Sequence, residues 1–183
     1  MSVNGRVDFA GWSLRPAEQR DIDELMRWFP DREAVHEWGG PVFRFPFTRH
    51  SFAEDIHWGR MASFSLYEPA GPLAGFGQLY EREARIHLAR LAVAPARRGQ
   101  GVGLCLVERL MARGKSLYDL PEFSLFVFCD NTQALRCYEA AGFQIADYPE
   151  DAPLPDFCFY LTRPVEGRVT RATTTTGGEN NEQ

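Results

Sequence analysis

Residues 97–103, Arg-Arg-Gly-Gln-Gly-Val-Gly, are the stretch of this chain best suited to chemistry. Gly99, Gly101 and Gly103 remove side chains where a backbone must approach a ligand closely. Leu104, Val107, Leu110 and Met111 follow at helical spacing, so the turn opens a helix. The first N–H groups of a helix have no intrahelical acceptor and lie at the positive end of its dipole, which makes them a phosphate site. Arg97 and Arg98 add positive charge. The dinucleotide spacing G-x-G-x-x-G fails here, because it needs glycine at 104 or 106 and both are leucine. The nucleoside-triphosphate loop also fails, for want of a terminal Gly-Lys-Ser/Thr. A pyrophosphate turn of a third kind, Arg-x-x-Gly-x-Gly on Arg98, Gly101 and Gly103, and an ordinary glycine-rich connection are the two readings left.

Metal chemistry is not expected. His36 and Glu37 do not complete H-E-x-x-H, since residue 40 is glycine, and His50 and His57 have no cysteine or carboxylate constellation around them. Cys105, Cys129, Cys137 and Cys158 include no C-x-x-C pair, and their apolar or helical flanks read as buried, reduced thiols of a cytoplasmic protein.

The elements that must hold the turn are legible from periodicity and punctuation. Residues 12–17 read as a strand and Glu18–Phe29 as a helix stopped by Pro30. Residues 35–50, with Trp38, Phe43, Phe45 and Phe47 among glycines and prolines, read as a loop or short helix, and Ser51–Met61 as a helix. Strands are expected at Ser63–Tyr67, Leu73–Tyr80 and Arg85–Val93, with the charged Glu81-Arg82-Glu83 as the last turn. The helix after the glycine turn should end at Gly114. Ser124–Cys129 reads as a buried strand, and a helix capped by Asp130 or Asn131 runs to Gly142. Phe143–Tyr148 and Phe157–Leu161 read as closing strands, and the polar residues 166–183 as a disordered tail behind one domain over 1–165. This order implies an α+β (mixed α/β) domain whose two later strand–helix crossings are parallel.

Composition narrows the partners. The chain has 183 residues, 44% hydrophobic and 25% charged, which suits one globular domain. A formal net charge of -5 argues against nucleic acid, and no stretch approaches the length of a membrane span. Residues 1–10 have no apolar core of secretory type. A homodimer stays open.

Residues 90–103, RLAVAPARRGQGVG, together with the downstream Asn131, Ala134, Tyr138 and Gly142-Phe143, resemble the two central motifs of the GNAT superfamily of N-acetyltransferases. The opening SLRPA and its acidic helix are similar to the family's first strand and helix, so the resemblance spans residues 12–161. It implies a central, mostly antiparallel sheet that splays at a cofactor cleft and is flanked by helices. It implies acetyl-CoA as cosubstrate and an amine, of a small molecule or a peptide N-terminus, as acceptor. The backbone of Leu91, Ala92 and Val93 would pair with the pantetheine arm. Arg98, Gly99, Gln100, Gly101, Val102, Gly103 and Leu104 would hold the pyrophosphate. Asn131 would line the cleft or cap its helix, or do both.

Tyr138 would protonate the leaving thiolate or simply fill the core. The Val93 N–H would face the developing oxyanion. For the base that takes the amine proton the candidates are His87, Glu81 and Glu83, with water as the alternative. The aromatic segment carrying Trp28, Trp38, Phe43, Phe45 and Phe47 would either wall the acceptor or pack helices onto the sheet. A non-catalytic acyl-CoA sensor is the competing reading.

Overall fold

A computed structural model of the chain describes residues 8–69, 71–152 and 154–166. Of the expected tail over 166–183, residues 167–183 lie outside the described residues, and Glu166 pairs with Arg163 at 2.6 Å.

Seven strands form one sheet: β1 (Ser13–Pro16), β2 (Ala62–Tyr67), β3 (Leu73–Arg82), β4 (Arg85–Val93), β5 (Glu122–Phe128), β6 (Gln144–Ala146) and β7 (Cys158–Pro164). Their order is β1-β2-β3-β4-β5-β7-β6, and every pairing is antiparallel except β4 with β5. The mixed, mostly antiparallel α+β architecture is the expected one. Both later strand–helix crossings join strands of parallel direction, as expected, with β5 beside β4 but with β7 inserted between β5 and β6.

Period-two alternation gives the sheet two cores. A Cβ placed on Gly75 or Gly77 would meet Leu106 or Leu110 of α4 (Val102–Leu117), whereas Phe76 between them is buried in a separate cluster. That second cluster gathers α1 (Gln19–Met26), α2 (Arg32–Gly39) and α3 (Arg49–Asp55) through Ile22, Leu25, Val35 and Phe52, with Phe76 and Ala92 from the sheet. Trp28 and Phe43 are buried there and Trp38, Phe45 and Phe47 pack against the cluster, so the aromatic segment packs helices onto β3 and β4. On the other face α4 meets Ile86, Leu88, Phe123 and Leu125, and α5 (Thr132–Ala140) lies beside it.

Several boundaries shift for identifiable reasons. Asp31 accepts a bond from the Ala34 N–H at 2.9 Å and starts α2 at Arg32, just before the stretch that reads as a loop or short helix. Thr48 caps α3 two residues earlier than expected. Glu83 and Ala84, with φ of 50° and 54°, form the β3–β4 turn, so Glu81 and Arg82 belong to the strand, paired with Ile86 and Arg85. Gly114 does not end α4, which runs to Leu117. A Cβ there would lie 2.9 Å from Ile86 Cγ2 and 3.3 Å from Phe123 Cε1, so this glycine lets the helix approach the sheet. All four cysteines are free, but Cys129 is exposed rather than buried and Cys137 is only partly covered.

Candidate active site

β4 and β5 part company early. Their pairing consists of Ile86 with Phe123 and His87 with Ser124, so the β5-facing edge of β4 beyond His87 lies open. The opposite edge of β4 carries a bulge. Gln78 pairs with Ala89 and Phe76 with Ala92, which sets Gly77 against both Arg90 and Leu91. Arg90 takes a left-handed φ of 51° there. Its side chain is fixed by Gln78 Oε1 at 2.9 Å and the Asp55 carbonyl at 3.2 Å, and lies over the Phe43 ring. The bulge thus anchors β4 to α3 while its other edge bends away from β5.

The open wedge is a cleft of ≈ 990 Å³. Into it points the N-terminus of α4. Asp31, Thr48 and Asn131 cap α2, α3 and α5 with their side chains, but the N-cap of α4 is Gly101, at φ 83°, with no side chain to offer. The first intrahelical bond of α4 runs from the Cys105 N–H to the Gly101 carbonyl at 3.2 Å, which leaves the N–H groups of Val102, Gly103 and Leu104 for an outside acceptor. Gly99, at φ 73°, stands in open space. These features fit a diphosphate followed by a thin, strand-like arm.

Leu91, Ala92, Val93, Arg98, Gly99, Gly101, Gly103, Leu104 and Asn131 line this cleft, as do Tyr138 and His87. Arg98 donates through Nε to the Val93 carbonyl at 3.3 Å, so its guanidinium sits beside the backbone the arm would use. Asn131 Oδ1 accepts from the Ala134 N–H at 3.0 Å; its amide nitrogen takes no part in that cap. Two of the residues expected to hold the cofactor do not line the cleft. Gln100 is exposed and donates to the Ala96 carbonyl, and Val102 is buried beneath the turn, so it offers only its N–H.

The candidate bases fare differently from Tyr138. Glu81 is exposed on β3 and does not line the cleft, and Glu83 lines a neighbouring pocket. His87 is in place, buried, with Nδ1 2.9 Å from Ser124 Oγ. Burial, and then the nearby Arg82 and Arg90 charges, depress its pKa to about 3. It is therefore neutral at pH 7 and too weakly basic to hold a proton from an amine. Burial pushes the Tyr138 phenol above its ordinary value, so it keeps its proton. Beside it, burial, and then the Glu108 charge, raise the Cys137 thiol to about 11.

At the far end of the cleft stand Trp38, Glu37, Tyr80, Arg82, Phe126 and Tyr148, of which the sequence singled out only Trp38 for an acceptor wall. Tyr80 and Arg82 were readable as one face of β3 once the turn was placed at Glu83-Ala84. Among the described residues no group of three or more His, Cys, Asp or Glu side chains converges as a metal site, and no helix is long and apolar enough to cross a membrane.

The signature of the acetyltransferase (GNAT) family matches residues 32–143, which include the bulge, the glycine turn, α4, β5 and α5. The chain belongs to the acetyltransferase (GNAT) family. N-alpha-acetyltransferase 40 of Saccharomyces cerevisiae is 35% identical to this family member over 91 residues, 46% of this chain and 32% of the yeast protein, so the match spans about a third of that relative. The spermidine N-acetyltransferase from Vibrio cholerae, solved in complex with CoA and spermine, superposes with a TM-score of 0.67 at 18% identity, over 85% of this chain and 96% of its own. The ribosomal-protein-S18-alanine N-acetyltransferase from Escherichia coli gives 0.61 at 20% identity, over 88% and 98%. At these identities the solved structures establish a shared fold.

Proposed function

We propose that this acetyltransferase uses acetyl-CoA to acetylate a primary amine, of a small molecule or a peptide N-terminus, by direct attack on the thioester. One observation carries the reading: the uncapped N-terminus of α4 and the unpaired edge of β4 open onto the same cleft. The N–H groups of α4 and Gly99 receive the pyrophosphate. Residues 91–93 pair with the pantetheine arm as an added strand would.

Acetyl-CoA supplies the activated acetyl group. The chain's own residues do the rest. The Val93 N–H is placed to receive negative charge on the carbonyl oxygen as the amine adds. Tyr138 donates the proton that the departing sulfur needs, since burial on this wall disfavours a free thiolate. The amine attacks in its neutral form, its proton leaving through water, because His87 is too weak a base and Glu81 stands off the cleft.

Thermal unfolding with acetyl-CoA, ATP and NAD at matched concentrations tests the ligand. Acetyl-CoA at about 100 times its dissociation constant adds ~2.7 kcal/mol and raises the midpoint by several degrees. Equal shifts from all three, or none from acetyl-CoA, overturn the assignment. Release of free CoA that depends on an added amine separates the enzyme from a sensor that only binds.

A further inference from the structure

A second cavity, of ≈ 450 Å³, opens beside the cleft, and Tyr148 lines both. It lies where β7 inserts between β5 and β6. Three carboxylates border it: Glu83 from the β3–β4 turn, and Asp147 and Glu150 from the segment after β6. Its one lining cation, Arg85, is already engaged by Glu122, Nε to Oε2 at 2.7 Å. Asp147 and Glu150 are exposed and make no ion pair with a described residue. Glu83 pairs with Arg82 at 3.4 Å, so the unneutralised negative charge of the cavity is that of Asp147 and Glu150.

Acidic residues alone would be a solvated rim. Tyr160 makes this a built site. It lines the cavity with 2% of its surface exposed, and its buried hydroxyl has no hydrogen-bond partner among the described residues. A buried hydroxyl left unpaired costs stability that a bound donor would restore. Two ring faces accompany it, Tyr148 and Tyr160, with centroids 6.5 Å apart at 68°. Carboxylates with tyrosine faces and a phenol oxygen suit an organic ammonium or guanidinium. They do not suit a metal, since no three carboxylates converge among the described residues.

The cavity also adjoins the end of the cleft that carries Tyr80, Arg82 and Phe126, with Tyr148 between them. The Tyr160 ring packs on Phe126 at 4.9 Å, and Phe126 lines the cleft beside Arg82 and His87.

We propose that this cavity binds a second cationic group of the acceptor, so that the favoured substrates are amines carrying another positive charge beyond the one acetylated. The inference rests on the acetyl-transfer reading for the direction in which the acceptor lies. The cation comes either from a basic side chain near a peptide N-terminus or from the distal amine of a polyamine; the chemistry that recognises it is the same.

The test compares matched acceptors by CoA release on the full chain. Ala-Arg and Ala-Ala-Arg amides are set against their citrulline counterparts, and spermidine against butylamine. The cationic member of at least one pair should show a KM about tenfold lower, and which pair responds identifies the source. Asp147→Asn with Glu150→Gln should erase that preference without changing KM for the neutral member. Tyr160→Phe should weaken the cation several-fold while raising the unfolding midpoint of the free protein, an opposition that a packing role for the hydroxyl would not produce. Equal KM values within every pair, or a preference that survives both variants, overturn the cation pocket and leave acetyl transfer standing. If no amine releases CoA, the transfer reading falls. Calorimetric titration of Ala-Ala-Arg amide into the CoA-saturated protein then decides the pocket: weaker binding in the Asp147/Glu150 variant supports it, and identical binding overturns it.

Discussion

His87 and Ser124 face each other at the last rung that joins β4 to β5, and their side chains hydrogen bond across it at 2.9 Å. The polar pair stands where the sheet opens into the cleft. The folded protein holds the His87 imidazole at about 3, through burial first and then the Arg82 and Arg90 charges. An unfolded chain titrates it near ~6.5. Between those values the unfolded state binds a proton that the native state refuses, so stability falls as pH drops below ~6.5 and is flat above it. The slope reaches about 1.4 kcal/mol per pH unit. Urea midpoints measured from pH 7 to pH 4.5 should fall in the native sequence and stay nearly level in His87→Gln. Parallel curves would show that another group carries the acid sensitivity.

That rung also marks where the sequence stops being informative. Periodicity placed β3, β4 and β5 and the glycine turn, because those segments bury a continuous apolar face around α4. It left α2 undecided between loop and short helix, because its signal is the cap Asp31 followed by only eight residues that end at Gly39, before Gly40. It misread Gly114, because a helix-terminating glycine and one that admits a close neighbour are the same letter; the Ile86 and Phe123 contacts distinguish them. The glycine turn and Tyr138 were legible as local motifs. The carboxylates near Tyr160 were not, since they border one cavity only after β7 inserts between β5 and β6.

Gly101→Glu should abolish acetyl-CoA binding in a protein that still folds. The residue sits at φ 83°, and a Cβ there meets Phe9 Cζ at an ordinary 3.6 Å. Strain from the left-handed backbone costs about 1–2 kcal/mol, which a domain survives. Gly101→Ala carries that same strain without the charge and is the control. Calorimetry should find acetyl-CoA weakened modestly by alanine and beyond detection by glutamate. Equal affinities in the two variants would remove the diphosphate from the N-terminus of α4.

Tyr138→Phe should leave acetyl-CoA affinity unchanged and lower kcat by ~10²-fold. The ring already packs with Phe143, so phenylalanine preserves the wall. Because burial holds the phenol above its ordinary value, the native enzyme's kcat should show no loss from tyrosine ionisation below pH ~10. Single-turnover CoA release measures the step directly. A near-native rate there would assign Tyr138 to packing alone.

Gly77→Val should couple stability to cofactor affinity through the bulge. A Cβ at Gly77 would lie 2.5 Å from Leu110 Cδ1 and 2.8 Å from Leu91 Cδ2. Both are side-chain ends and can move, so the cost is that of an overpacked core, about 1–3 kcal/mol, or several degrees in the unfolding midpoint. Leu91, however, is one of the two bulge residues set against Gly77, and its backbone belongs to the edge proposed to pair with the pantetheine arm. Pushing Leu91 aside turns that edge. Acetyl-CoA affinity should therefore fall together with the midpoint. Gly114→Ala, which crowds Ile86 and Phe123 at the paired end of β4 instead, should lower the midpoint with little effect on affinity. If Gly77→Val lowers the midpoint and leaves affinity intact, the edge of β4 holds its course independently of what Leu91 packs against.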